Sequence, residues 1–140
     1  MSYDRPNRQK YTFGVFDFGA GSDDGFYINT PKGKAGRLWD YGVEGTVEVF
    51  NGNTVTPKIS VGTTANVTAY GASLDLNALA DSDMKSVRTL YREEVDNFTS
   101  YMTATSREIP ADSVVQVRCI AGTSSPTGQA VPWCIIDWQH

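Results

Sequence analysis

The chain has 140 residues, a net charge of -4 and 20% charged residues, which suits one domain with a sizeable core and shows no composition shift that would divide it. The acidic balance argues against a nucleic-acid partner, because no basic face compensates phosphates. No apolar run approaches the ~20 residues of a membrane span, and Met1 to Lys10 lacks the apolar core of a secretion signal, so the expectation is cytoplasmic synthesis and no membrane partner.

Residues 1–10, MSYDRPNRQK, are polar and broken by Pro6, and they read as a flexible N-terminal arm ahead of a single domain spanning 11–140. For a free monomer this is an ordinary frayed end. On a partner, Tyr3, Arg5 and Arg8 would supply the stacking and bidentate contacts that make interfaces. Tyr11 to Phe18, YTFGVFDF, has the aromatic content of a strand, interrupted at Gly14. In Gly19 to Gly25, Asp17, Asp23 and Asp24 stand without the closing bidentate glutamate of a calcium loop, so a turn is the plainer reading.

Phe26 to Thr30 can form a short strand, followed by the turn residues Thr30-Pro31-Lys32-Gly33-Lys34. In Arg37 to Tyr41, simple alternation puts Leu38 on one face with Trp39 and Tyr41 on the other. Two rings so spaced can stack a sugar or cover a partner, although burial is the commoner fate of such residues. Trp39 and Tyr41 therefore join Tyr3, Arg5 and Arg8 as candidate interface residues.

Val43 to Val61 predicts a hairpin about Asn51-Gly52-Asn53, with Val49 facing Val55, Val43 facing Val61 and Gly45 facing Ile59. The other face would then carry Glu44, Thr46, Glu48, Lys58 and Ser60, with Pro57 marking an edge or a bulge. Gly62 to Ala72 reads as a loop, and Leu74 and Leu76 alternate as a short strand. Met84, Val87, Leu90 and Tyr91 follow helical spacing over Met84 to Glu94, while Val87, Thr89 and Tyr91 also alternate as in a strand. Asn97-Phe98-Thr99 matches a glycosylation sequon, which means little without a secretion signal. Phe98 to Thr105 predicts a further strand, and Ile109 to Asp112 a turn.

The last stretch, VVQVRCIAG and VPWCIIDW around a Gly/Ser/Pro/Thr loop, predicts a second hairpin. Folding about Pro126 and Thr127 pairs Val115 with Trp138, Val117 with Ile136, Cys119 with Cys134 and Ala121 with Pro132, an apolar face throughout. Opposed cysteines can bridge, but small buried thiols are the commoner outcome in a reducing compartment. Together these elements predict a mainly β chain, an antiparallel jelly-roll sandwich of about eight strands with at most one short helix. The long connections argue against a simple meander.

Catalytic chemistry is sparse. The single histidine is His140, so neither a Ser-His nor a Cys-His pair can form, and a zinc site has no ligand set. Phosphate-binding glycine motifs are absent as well. Glu93, Glu94 and Asp96 are the one carboxylate group that could serve a glycosidase, yet adjacent acids are usually a solvated face. The expectation is a non-enzyme with no cofactor and no metal.

Three segments carry a resemblance: EVFNGNTVTPKISVGT (Glu48 to Thr63), SLDLNALADSD (Ser73 to Asp83), and IPADSVVQVRCIAG (Ile109 to Gly122) with Thr127-Gly128 beyond it. Their order resembles the small jelly-roll cement, or head-decoration, proteins of tailed bacteriophages. The resemblance implies a homodimeric virion subunit on the outside of the capsid, bridging capsomers of the major capsid protein against internal DNA pressure. It transfers no catalytic or contact residue. A different class, a carbohydrate- or receptor-binding β-sandwich module, would use Trp39, Tyr41 and Trp133 as a stacking platform. A glycan array separates the two.

Overall fold

A computed structural model describes residues 8–19, 23–51, 56–76, 84–90, 101–102, 106–122 and 127–138. Among them are ten strands: β1 (Arg8–Thr12), β2 (Phe16–Asp17), β3 (Asp24–Asn29), β4 (Gly36–Asn51), β5 (Lys58–Gly62), β6 (Gly71–Asp75), β7 (Lys85–Ser86), β8 (Glu108–Ile109), β9 (Val114–Ile120) and β10 (Thr127–Trp138). One helical turn, α1 (Val87–Leu90), follows β7. The strands form two antiparallel sheets. In the first, β10 lies centrally with β1 and β2 on one side and β4 on the other, and β7 and β8 pair with the far side of β4. The second runs β3, β9, β5, β6.

The inner faces supply one core. Leu38, Tyr41, Val43 and Phe50 of β4 and Cys134, Ile136 and Trp138 of β10 meet Ile28, Ile59, Val61, Leu74, Val115, Val117 and Cys119 of the second sheet. Such alternating apolar rows drive the assembly, because each sheet must hide one face from water. Tyr41 locks the sheets together: its ring packs on Gly71, and its hydroxyl donates to the Ala72 carbonyl at 2.5 Å.

Both predicted hairpins are overturned. β9 and β10 lie in different sheets, so Cys119 pairs with Asp24 and Ile59, while Cys134 pairs with Tyr11 and Tyr41. Both thiols are free, and burial raises the pKa of each. Likewise β4 and β5 do not pair; β5 lies between β6 and β9. Apolar alternation identifies which face of a strand is buried. It does not identify the neighbour, since strands in facing sheets present the same pattern to the core.

Three register irregularities interrupt the pairing of β4 with β10, and two of them bear on the predicted faces of β4. Between Leu38 and Asp40 the strand holds one residue more than β10, so Leu38 and Tyr41 both point inward and Trp39 does not share the face of Tyr41. Farther on, Gln129 and Val131 pair with Glu48 and Glu44, and Gly45 takes up the irregularity at a φ of 62°. The alternation flips again, leaving Thr46 and Phe50 buried and Val47 61% exposed.

Other differences are local. Arg8, Gln9 and Lys10 belong to β1 and not to an arm, because they pair with Asp137, Ile136 and Ile135. The expected break at Gly14 falls between β1 and β2. Leu74 and Leu76 are both buried, as their alternation predicts. Over Met84 to Glu94, the described part is β7 followed by α1, so strand and helix each hold a portion. Tyr101 and Met102, expected within a strand, lie in a turn and after it. Glu93, Glu94, Asp96 and the sequon lie outside the described residues.

Candidate interaction surface

On β1 and β10 the residues facing away from the core are Arg8, Lys10 and Thr12, and Trp133, Ile135 and Asp137, alternating with inward residues. The first bulge adds Trp39 and Asp40 of β4 to this outer face. Register then brings opposite charges together: Arg8 opposes Asp137, which opposes Arg37.

The Arg8 guanidinium grips Asp137 through two parallel bonds, Nε to Oδ1 at 3.1 Å and Nη2 to Oδ2 at 2.8 Å. This fork geometry fixes a planar group as well as a charge. The same guanidinium lies over the Trp39 ring with Cζ 4.1 Å from its centroid, and Arg88 lies over that ring at the same distance. Arg88 also donates Nε–H to the Trp39 carbonyl at 2.6 Å. Two residues along β1, Lys10 sits over Trp133 at 4.7 Å and pairs with Glu44 at 2.9 Å. Arg37 reaches Glu108 on β8, with its Nε donating at 2.8 Å.

Under this layer lies Asp40, a buried carboxylate. Its Oδ1 accepts the backbone N–H groups of Tyr41 and Arg88 at 2.9 and 3.1 Å, and its Oδ2 accepts the Ser86 hydroxyl at 2.8 Å. The carboxylate thus ties the 84–90 segment to β4, and Lys85 ties the same segment to β6 by donating to the Asp75 carbonyl at 2.7 Å. Burial raises the Asp40 pKa against the pull of these hydrogen bonds. Burial lowers that of Arg88, helped by Arg107 and opposed by Asp40, and burial likewise lowers that of Arg107, helped by Arg37. Guanidinium groups remain charged despite such shifts.

The raised pKa of Asp40 gives a testable sign. A folded-state pKa above the unfolded value means that its stabilising effect is full below the unfolded pKa, about 4 for aspartate, and is lost as pH rises through the folded one. Asparagine retains an acceptor for both amides and can donate to Ser86, but it does not titrate. Asp40→Asn should therefore gain stability relative to the parent as pH rises from about 4 to 7. Urea midpoints that run parallel across that range would contradict this.

No protein-family model, curated protein or solved structure matches the chain.

Of the candidate interface residues, Arg8 and Trp39 are stacked together here. Tyr41 is 0% exposed and belongs to the core, because the bulge at Trp39 turns it inward. Tyr3 and Arg5 lie outside the described residues. Trp133 is 3% exposed beneath Lys10, so Trp39, Tyr41 and Trp133 do not make an open stacking platform. Arg88, Asp137, Lys10 and Glu44 were not singled out from the sequence. The alternation of Ile136 and Trp138 was a usable signal for Asp137, whereas the position of Arg88 depends on a crossing that local pattern does not encode. Among the described residues, no three His, Cys, Asp or Glu side chains gather as a metal site. Asp17 and Asp24 each accept a nearby backbone N–H, Asp23 accepts that of Ala121, and Asp24 and Gly25, expected in a turn, open β3.

What the surface offers is a set of charged and aromatic groups already held in place. Arginine and tryptophan are the side chains enriched where binding energy concentrates. Groups fixed before a partner arrives lose less freedom on binding.

Proposed function

We propose that the chain is a head-decoration protein of a tailed bacteriophage, a jelly-roll homodimer that binds the outside of the capsid and bridges neighbouring major capsid subunits. The observation that carries this reading is the nesting of the strand pairs. β1 and β2 pair with β10, β3 with β9, β4 with β7 and β8, and β5 with β6. Such nesting is what one long antiparallel ribbon gives when it is rolled up, and the rolled ribbon closes where β10 meets β4 and β9 meets β5. The three segments that resemble decoration proteins take in all of β5 and β9, the last three residues of β6 and Ile109 of β8.

Multivalency supplies the physical logic. A shell presents identical sites at fixed spacing, so several modest contacts sum to firm attachment. The surface of Arg8, Trp39 and Arg88 is the proposed shell-facing patch. The test is co-sedimentation with heads that lack decoration protein. The full chain should pellet with them, and Trp39→Ala should lower occupancy at equal protein concentration and at a temperature where its free chain is still folded. A full chain that stays in the supernatant would overturn the reading.

A further inference from the structure

We infer that a second copy of this chain pairs with the open edge of β3, continuing the second sheet across a two-fold axis near Tyr27. β3 ends the strand order β3, β9, β5, β6, and among the described residues no strand pairs with its outer side. An unprotected strand edge is a template for another strand, and soluble proteins usually blunt it with lysine, proline or a bulge. This edge has none of those within Asp24–Asn29.

The exposed apolar groups point to the same place. Tyr27 is 58% exposed on the outer face of β3, and its hydroxyl accepts from the Gln116 side chain of β9 at 3.2 Å, which fixes the ring on that face. On the inner side Phe26 stacks on Phe13 at 4.9 Å and meets Phe16 edge-on. Its ring is only partly buried, so a row of apolar side chains runs out to the edge and stops there.

Charge selects the occupant and its direction. From Asp23 to Lys34 the chain reads DDGFYINTPKGK: two acids at the start of β3, an apolar centre, then two lysines in the Pro31–Lys34 turn just past its end. Asp23 already faces Arg118, so Asp24 carries the acidic side of the match. Two such strands running antiparallel place the acidic end of each copy beside the basic end of the other. A parallel pairing would set like against like. Because a two-fold axis normal to the sheet preserves inner and outer faces, paired residue numbers must have an even sum. Centring on Tyr27 satisfies this and overlaps nearly the whole strand. Tyr27 then opposes its own copy on the outer face, Phe26 opposes Ile28 on the inner face, and Asp24 opposes Thr30 within reach of the Lys32 side chain. A closed two-fold interface of this kind consumes the edge in both copies. The assignment holds whether or not the chain binds phage heads.

The experiment is sedimentation equilibrium of the full chain with charge variants. The parent should show a monomer–dimer equilibrium. Asp24→Lys and Lys32→Asp should each weaken it about tenfold, since the two-fold axis doubles the effect of every cross-strand pair. The double variant Asp24→Lys with Lys32→Asp should recover most of the loss. Tyr27→Cys, treated with diamide, should give a disulfide-linked dimer on a non-reducing gel. Val114→Cys, exposed on the same sheet but one strand in from the edge, should not. A parent that stays monomeric at every concentration reached overturns the assignment. So does a dimer indifferent to both charge reversals, or a Tyr27→Cys protein that cross-links no better than Val114→Cys.

Discussion

Tyr41→Ala should lower the unfolding free energy by about 3–5 kcal/mol, a large share of the ~5–15 kcal/mol that a domain usually has. The side chain is fully buried, and its ring spans from one sheet to the other. Truncation would remove core contacts around Gly71 and leave the Ala72 carbonyl without the hydroxyl that bonds it. Tyr41→Phe keeps the ring and removes only the hydrogen bond, so about 1 kcal/mol is the expected loss. Urea denaturation monitored by tryptophan fluorescence distinguishes the two. Equal losses for Ala and Phe would mean that the hydroxyl, and not ring packing, holds the sheets at this point.

Gly42→Ala should cost about 3 kcal/mol, at the upper end for overpacking. A Cβ at this position would sit 2.0 Å from the Lys85 carbonyl oxygen and 2.7 Å from the Ser86 Cα. Both neighbours are backbone, so a rotamer change cannot relieve the collision, and the pairing of β7 with β4 must open. Opening it would strain the Ser86 to Asp40 hydrogen bond and the anchorage of Val87 in the core. Hydrogen exchange should accordingly speed up at residues 84–90 more than along β10. Uniform acceleration over both would show instead that the whole domain loosens.

The unequal legibility of these features has a physical origin. The buried row of Val115, Val117 and Cys119 and the row of Cys134, Ile136 and Trp138 follow directly from alternation, as do Ile59, Val61, Leu74 and Leu76. Pairing between strands does not, and the two expected hairpins fail because β4 and β5, like β9 and β10, belong to different sheets. Bulges are equally silent in a sequence: one extra residue at Trp39 separates it from Tyr41 and turns a surface candidate into core. The stacking of Arg8 on Trp39 joins two residues that the sequence marks separately as interface candidates. Their meeting was not legible, because it requires β10 to lie between β1 and β4.

The central position of β10 has a bearing on how the domain comes into being. Arg8 and Asp137 grip each other across 129 positions of chain, so one of the earliest described strands to leave a ribosome must wait for the latest. Until β10 arrives, β1 and β4 have no common neighbour. A topology weighted toward such distant partners has high contact order, and chains of this kind fold over milliseconds to seconds. Nascent chains stalled before Thr127 should therefore remain protease-sensitive, whereas chains stalled with β10 clear of the exit tunnel should resist.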